Sequence, residues 1–456
     1  MMAIPNAAAS DTDRVGAGLQ REAVRDWFGQ PRGLTILCAV EMWEVFSMQG
    51  IRTLLVYYMT RQLLFAQGDA STIYGTFLGF VFLTPLLGGV IADRRLGRRN
   101  SAVIGGVIMA IGYFMLMSPT LFYPALVVLA CGNGLYKPCV ASQIRELYEE
   151  GDPRRDSAYS IFYAGKNLGA LLAPLGCGTV GELFGWYWGF GLAGVSMIAG
   201  VLVYLLGARY LSGQPAADPQ TTVRGARAMH APPVKLSARR LVQLTCVAFS
   251  VILFSCAYEQ LGNTFALWVG ASVDRSVGGR IIPMTWFQSL NPLFVFVFTP
   301  VLIWSWTALS RKGRQPEPIM KMASGALMLC VGYLVLAGFA ASAARHGGQV
   351  SALPVVLFIA LYTIGELHVL PIGLGLFSRL APPSMAATLL GIWYLTSFVG
   401  NLAAGQIGRL WSQLSQVQFF LMLSALAAAA ATILLIARDR HGSEPGRLVA
   451  TLARQP

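Results

Sequence analysis

The stretch GGVIADRRLGRRN, from Gly88 to Asn100, ends a long apolar segment with a glycine among four arginines. A similar stretch, WTALSRKGRQ from Trp306 to Gln315, follows another apolar segment in the second half of the chain. Each stretch follows the second apolar segment of its half. This correspondence predicts two six-helix repeats with a central cavity between them. The alternative is that the loops resemble each other only because any cytoplasmic loop attracts glycine and arginine.

The composition indicates an integral membrane protein. Of the 456 residues, 55% are hydrophobic and only 12% are charged, whereas soluble chains are about 25% charged. Apolar blocks of about twenty residues, the length that crosses a hydrocarbon core, recur along the whole chain. We therefore predict an all-α membrane protein with about 12 transmembrane helices. The predicted spans are 33–59, 71–92, 101–118, 121–147, 157–179, 187–210, 241–269, 285–309, 319–343, 352–378, 385–411 and 417–437.

Topology explains the net charge of +13. Basic residues cluster in short loops that alternate with nearly uncharged loops, which is the positive-inside pattern. The pattern predicts that both termini are cytoplasmic, and we expect the inner membrane of a bacterium. No nucleic-acid partner is needed to account for the charge. Residues 1–33 are mostly polar and have no apolar core, so they are not expected to be a cleavable signal peptide.

One long polar segment, residues 212–239, separates six predicted spans from the other six. Pro, Ala and Gly are frequent in it, and we predict a cytoplasmic linker. The other predicted divisions are a cytoplasmic N-terminal segment 1–32, a first bundle 33–211, a second bundle 240–438 and a cytoplasmic tail 439–456. We expect this arrangement to function as a monomer in the lipid bilayer.

The first predicted span carries three ionisable side chains, Glu41, Glu44 and Arg52. A helix turns 100° per residue, so Glu41 and Arg52, eleven positions apart, lie within about 20° of one face. A charge that faced lipid at the centre of a helix would cost about 2.5–3.5 kcal/mol. The three side chains are therefore expected to face a hydrated cavity or one another. The alternative is a structural ion pair that fastens helices together.

Several stretches resemble a known family. The pattern G-x-x-x-D-R-x-x-G-R-R, which begins at Gly89, is similar to the signature loop of the major facilitator superfamily. Five others resemble the proton-dependent oligopeptide transporter family: residues 132–138, 162–194, 258–262, 287–292 and 365–374. The resemblance implies the major facilitator fold, with two six-helix bundles around a cavity. It also implies symport of protons with short peptides or peptide-like compounds by alternating access, without a cofactor.

The chain departs from that family at several positions. Val45 stands where the first-span element Glu-x-x-Glu-Arg has its arginine, and Met48 and Gln49 replace two tyrosines. Lys166 replaces an isoleucine of the fifth span, and Ser255 replaces a tryptophan before the Glu-Gln of the seventh. Tyrosine hydroxyls can hydrogen-bond a peptide backbone, whereas methionine is soft and apolar. The loss of two tyrosines favours a larger or modified peptide-like substrate.

The resemblance also implies roles for individual residues in substrate binding. Two match the positive wall that holds a peptide carboxylate: Arg52 and Lys137. Others match the amino-group wall or the gate between the halves: Asn167, Glu259 and Glu366. Three match polar or aromatic cavity positions: Asn291, Trp393 and Tyr74. For the two aromatic residues, the alternative is ordinary packing.

Proton coupling is predicted at Glu41, Glu44, Lys166 and Glu366. Burial disfavours the charged form of a carboxylate and lets it exchange a proton near neutral pH. Since the arginine expected at position 45 is missing, we hypothesise that Lys166 reaches across from the fifth span and pairs with Glu41 or Glu44. The alternative is that Lys166 snorkels or contacts substrate directly, and that coupling is lost.

The loop that opened this section is predicted to act as an intracellular latch. Asp93, with Arg94 and Arg98, would hold the cytoplasmic ends of the helices together in the outward-facing state and release them on reopening. The alternative is that these charges serve topology alone, and both roles are compatible.

No enzyme signature is present in the sequence. It contains no H-E-x-x-H, G-x-S-x-G, Walker or C-x-x-C motif, and its seven cysteines lie in apolar blocks without metal-ligand spacing. We therefore predict that the protein is not an enzyme and holds no metal. The alternatives to a proton-coupled peptide importer are a facilitator or exporter of another small zwitterion, and a transporter-like sensor without net transport.

Overall fold

The computed structural model describes residues 29–148, 152, 154–211, 238–346, 348–380 and 386–439. The predicted linker lies almost entirely outside these residues, as do most of the predicted N-terminal segment and nearly all of the predicted tail. Long apolar stretches form helices because, in lipid, a helix satisfies every backbone hydrogen bond within one segment. The described chain is accordingly almost entirely helical.

Six long helices form the first half of the structure: α1 (Arg32–Tyr57), α2 (Gln67–Ile91), α3 (Arg98–Met115), α4 (Phe122–Glu146), α5 (Arg154–Ala173) and α6 (Trp186–Leu211). Wide π turns extend α1 through Tyr58–Gln62 and α2 through Ala92–Leu96. A third, Pro174–Gly178, carries α5 into a further helix at Thr179–Phe184. A short 3-10 turn, Pro119–Leu121, precedes α4.

Six more long helices follow: α7 (Ala238–Tyr258), α8 (Trp286–Arg311), α9 (Pro318–His346), α10 (Ala352–Leu380), α11 (Ala386–Gly408) and α12 (Gln416–Asp439). The helix α7 passes through a 3-10 turn, Glu259–Leu261, into a helix at Thr264–Ser272. An antiparallel hairpin of β1 (Ser276–Val277) and β2 (Arg280–Ile281) leads to α8. A 3-10 turn, Arg409–Ser412, ends the α11 segment.

The predicted spans overlap all twelve of these helical segments. Nine of the segments, within the described residues, are long and apolar enough to cross a membrane. The other three, which contain α3, α5 and α11, remain predictions as spans. The seventh predicted span, 241–269, contains a break, because α7 changes to a 3-10 turn at Glu259.

Each half has its own hydrophobic core. One cluster of buried side chains is built from the first six helices, and the other is built almost wholly from the last six. In the first half, α1 packs on α5 and α6, and α3 packs on α4. In the second half, α9 packs on α10 and α12, and α7 packs on α11 and α12. The architecture is therefore two helical bundles, as predicted.

The two bundles meet along α2 with α11 and along α5 with α8. The backbones of α2 and α11 are in direct contact, because a Cβ on Gly75 would lie 2.6 Å from the Cα of Gly405. Ser71 Oγ donates a hydrogen bond to Asn263 Oδ1 at 2.8 Å across the same boundary. We call this end of the bundles, where α1 ends and α2 begins, the closed end. The opposite end, which carries the Gly88–Asn100 loop, is the basic end.

Glycine turns end α2 and α8 in corresponding ways. Gly97 has a φ of +74° and Gly313 a φ of +65°. This left-handed region strongly favours glycine, because a side chain there meets the backbone. A backbone requirement therefore explains why both repeated loops contain a glycine at this point.

Gly88→Ala is expected to destabilise the protein. A Cβ at this position would overlap the carbonyl oxygen of Gly134 on α4, and overpacking of this kind costs about 1–3 kcal/mol. The adjacent Gly89→Ala is the matched control, because its Cβ would have Pro138 Cβ as nearest atom at 3.7 Å. The apparent melting temperature of the purified protein should fall only for Gly88→Ala. Equal melting of the two variants would show that α2 and α4 do not approach this closely.

Candidate substrate and proton site

Two acidic side chains of α1 and one lysine of α4 form a buried cluster. Lys137 Nζ lies 2.7 Å from Glu44 Oε2 and 3.5 Å from Glu41 Oε1. The Glu44 side chain is fully buried and that of Glu41 is 5% exposed, whereas Lys137 is 30% exposed. Glu44 Oε1 has no hydrogen-bond partner in the described part of the chain. If both acids are ionised, this single lysine leaves one negative charge without an ion-pair partner.

Local sequence places this cluster. Glu41 and Glu44 are three residues apart, so they lie on neighbouring positions of one face of α1. Small residues of α5 let α1 come close behind them. A Cβ on Gly169 would overlap the carbonyl oxygen of Met42. The first-span departure Val45 is buried, as is Met48, so neither adds a polar group to the cluster.

A second ion pair joins the two bundles. Arg52 Nη2 on α1 lies 2.5 Å from Glu259 Oε2, at the break in α7. Their side chains are 25% and 7% exposed, so water screens the pair only partly. The buried hydroxyl of Tyr74 lies against the same break, because a Cβ on Gly262 would overlap it. Three of the predicted substrate-binding residues are thus brought together near the closed end.

Glu366 on α10 is joined to α8 through an amide. Asn291 Nδ2 donates to Glu366 Oε2 at 2.7 Å and to Thr363 Oγ1 at 3.1 Å. This arrangement fixes the orientation of one carboxylate oxygen. Two predicted substrate-binding residues, Asn291 and Glu366, therefore lie side by side in the second bundle.

The hypothesised ion pair of Lys166 with Glu41 or Glu44 is wrong for this conformation. Lys137 occupies that role, and Lys166, which is half-buried on α5, makes no ion pair with any described residue. Lys166 nevertheless interacts electrostatically with Glu41, Glu44 and Glu366. The neighbouring Asn167 donates to the carbonyl oxygen of Tyr163 in its own helix at 2.9 Å.

Trp393 packs inside the second bundle. It is 9% exposed, and its ring lies 5.4 Å from that of Phe377 in an edge-to-face arrangement. A Cβ on Gly373 would lie 2.7 Å from its ring. In this conformation Trp393 is a packing residue, which is the alternative given above to a role in the cavity.

The predicted latch residues lie at the basic end. Arg98 lies 3.4 Å from Asp93 and 2.6 Å from Glu146 at the end of α4. Arg94 is exposed. Both ion pairs of Arg98 are formed within the first bundle, so here they join the α2–α3 loop to α4 rather than one bundle to the other.

Sequence reasoning missed one carboxylate that contacts the other bundle. Glu182, in the helix that follows α5, accepts hydrogen bonds from Thr285 N at 2.9 Å, Thr285 Oγ1 at 2.7 Å and Met284 N at 3.1 Å. These groups precede α8, so Glu182 caps a helix of the second bundle from the first. Glu182 is the only acidic residue between Phe162 and Gly194. A single acid in so apolar a stretch was the sequence feature that could have identified it as a contact residue.

Long apolar helices in two bundles, with ionisable side chains buried where the bundles face each other, define a multi-pass membrane transporter. It is a transporter and not an enzyme. Residues 99–231 and 227–432 match the family model PTR2, described as the POT family. The chain belongs to this family of transporters.

Individual relatives agree with this assignment. The chain is 33% identical over 452 residues to the peptide transporter YePEPT of Yersinia enterocolitica, a match that covers 84% of this chain and 88% of the relative. It is 28% identical over 481 residues to a di-/tripeptide transporter of Lactococcus lactis, which covers 91% and 96%. A crystal structure of a POT family transporter in complex with 5-aminolevulinic acid has a TM-score of 0.81 at 25% identity, covering 91% of this chain and 98% of that one.

Proposed function

We propose that the protein is a secondary active transporter that carries short peptides or peptide-like compounds together with protons by alternating access. The observation that carries this proposal is the cluster of Glu41, Glu44 and Lys137, in which two buried acids share one lysine. The relatives named as peptide transporters support the substrate class.

The cluster suits coupling between a proton and substrate. Protonation of Glu44 would remove the ion pair at 2.7 Å and leave Lys137 with only the longer contact to Glu41 at 3.5 Å, so that the lysine could bind the carboxylate of a peptide. Proton release would re-form the pair and displace the carboxylate. Protonation would raise the affinity of the site for the peptide carboxylate, and a bound carboxylate would raise its affinity for the proton by the same factor. Proton and substrate would therefore bind and leave together.

The remaining charges suit the two ends of a zwitterion. Lys137 and Lys166 supply cations on the first bundle, while Glu366, held by Asn291, supplies a carboxylate on the second. A peptide whose carboxylate lies near the lysines would present its amino group to Glu366. Such recognition of both termini leaves the side chains of the substrate loosely specified.

Alternating access requires the closed end to open. Three kinds of contact would have to part: the Arg52–Glu259 ion pair, the Glu182 cap on α8 and the α2–α11 backbone contact. With the basic end and both termini in the cytoplasm of a bacterial inner membrane, as we propose, the closed end faces outward and this conformation is closed to the exterior.

The direct experiment is uptake of labelled alanyl-alanine by liposomes that contain the purified full-length protein. An inward proton gradient should drive accumulation, and a protonophore should abolish it. Accumulation that is unaffected by the protonophore would contradict proton coupling. Absence of both uptake and exchange for a panel of dipeptides and tripeptides would contradict the substrate class.

Lys166→Ala is expected to weaken proton-driven uptake. The lysine interacts electrostatically with Glu41 and Glu44, so its removal changes the electrostatic potential at these two carboxylates. Arg345→Ala is the control, because it removes an exposed cation at the end of α9 that has no predicted part in binding or coupling. Unchanged proton-driven uptake in Lys166→Ala would exclude this lysine from coupling.

A second candidate function is a facilitator or exporter of another small zwitterion with altered or no proton coupling. The similar transporter bound to 5-aminolevulinic acid, a small zwitterion, favours it. Val45, in place of the family's arginine, also favours altered coupling. Counterflow of labelled amino acids without a response to pH would support this function over the first.

A further inference from the structure

A pocket of about 500 Å³ lies at the basic end of the second bundle, away from the buried acids. The helix α8 packs on α5 and α10, whereas α9 packs on α10 and α12, so α10 forms the floor between α8 and α9. Apolar groups of α10 make up this floor: Leu367, Pro371, Ile372 and Leu376. The pocket therefore presents a surface that suits a hydrocarbon chain.

The wall of the pocket carries a positioned cation. Lys321 Nζ on α9 lies 4.3 Å from the centre of the Trp306 ring on α8. The His368 ring contacts Trp306 edge-on at 5.3 Å, which fixes the plane of the indole. The acid of the wall, Glu317, lies 3.2 Å from Arg438, so its charge is already compensated. The contact with the Trp306 ring therefore positions a lysine ammonium at the wall of the pocket.

The mouth of the pocket is also basic. Arg311, the last residue of α8, and Lys312 and Arg314 in the loop that follows are all exposed. They lead directly into residues 315–318, which line the pocket. Trp304, two residues before Trp306 on α8, is 72% exposed. Tryptophan on the surface of a span is enriched at the interface of membrane and water. These features place the pocket at the level of lipid head groups.

We propose that this pocket binds an anionic phospholipid from the leaflet that surrounds the basic end. The phosphate lies at Lys321 and the basic loop, and an acyl chain lies along the apolar floor of α10. Basic residues next to a span attract anionic lipid, and each contributes favourably near the membrane surface. The proposal concerns a site separate from that of the transported substrate.

The test is the melting temperature of the purified full-length protein with added phosphatidylglycerol, phosphatidylcholine or inorganic phosphate. A ligand that binds the folded form raises the melting temperature. We expect phosphatidylglycerol to raise it more than phosphatidylcholine, and inorganic phosphate to leave it unchanged. Lys321→Gln should lose most of the difference between the two lipids. Arg345→Gln, which removes a positive charge at the other end of α9, should keep it.

A second variant tests the apolar part without touching charge. No atom lies within 4 Å of a Cβ built on Gly375, which lines the pocket. Gly375→Leu therefore adds an apolar side chain to the lining of the pocket at a position where the Cβ has room, and it should also lose the preference for phosphatidylglycerol. An unchanged preference in both Lys321→Gln and Gly375→Leu would overturn the proposal. If inorganic phosphate raised the melting temperature as much as phosphatidylglycerol does, the occupant would be a soluble anion and the proposal of a lipid would be wrong.

Discussion

Glu44→Gln is expected to reduce proton-driven peptide uptake to the background of empty liposomes, while exchange of labelled for unlabelled peptide falls much less. The Glu44 side chain is fully buried, and its Oε2 lies 2.7 Å from Lys137 Nζ. Glutamine keeps the shape of the side chain but can neither lose a proton nor pair with the lysine as an anion. The measurement is uptake with and without a pH gradient, compared with exchange at equal pH.

Glu146→Gln is the control for this prediction. Glu146 also pairs with a cation, Arg98, at 2.6 Å, but its side chain is 48% exposed and lies at the basic end. Its replacement should leave the ratio of proton-driven uptake to exchange unchanged. If Glu44→Gln retained full proton-driven uptake, the proton would have to bind elsewhere, and Glu366 would become the next residue to replace.

Removing one member of the Arg52–Glu259 pair is expected to destabilise the protein more than removing both. The pair is only 25% and 7% exposed, and a buried pair that loses one partner costs about 3–5 kcal/mol because a charge is left uncompensated. We expect Arg52→Ala and Glu259→Ala each to lower the melting temperature and to stop transport. The double variant should melt higher than either single variant and still fail to transport.

The exposed pair Arg98–Glu146 provides the matched comparison. Its side chains are 44% and 48% exposed, and pairs in water contribute about 0–1 kcal/mol. Single and double replacements there should differ little in melting temperature. If the double variant at Arg52 and Glu259 melted lower than both single variants, the two side chains would be acting independently, and the ion pair would not hold the bundles together.

The helices could be predicted from the sequence because apolar length alone specifies a membrane span. The contacts that stabilise the break in α7 could not be predicted. The side chain of Gln260 donates to the carbonyl oxygens of Cys256 and Ala404, both at 2.9 Å. One of these acceptors belongs to α11, far along the chain, so a local pattern carries no information about it. The break is stabilised by tertiary contacts that only the folded bundle provides.

The site was predictable in its residue types but not in its pairings. Helical periodicity states which way Glu44 and Arg52 point around α1. It does not state which helix stands opposite, so Lys166 was assigned to a role that Lys137 fills. The partner of Arg52 is 207 residues away in the sequence. Glu182 was overlooked for the same reason, because its partners belong to the other bundle.

A single helix carries both ion pairs. Glu44 and Arg52 are eight residues apart on α1, a distance of about 12 Å along the axis. One residue binds the lysine of α4 within its own bundle, and the other binds α7 across the boundary. If α1 moves as a rigid body, a tilt that follows proton uptake at Glu44 also displaces Arg52. No loop has to transmit the movement. The helix α1 alone would then couple the acid cluster to the ion pair at the closed end.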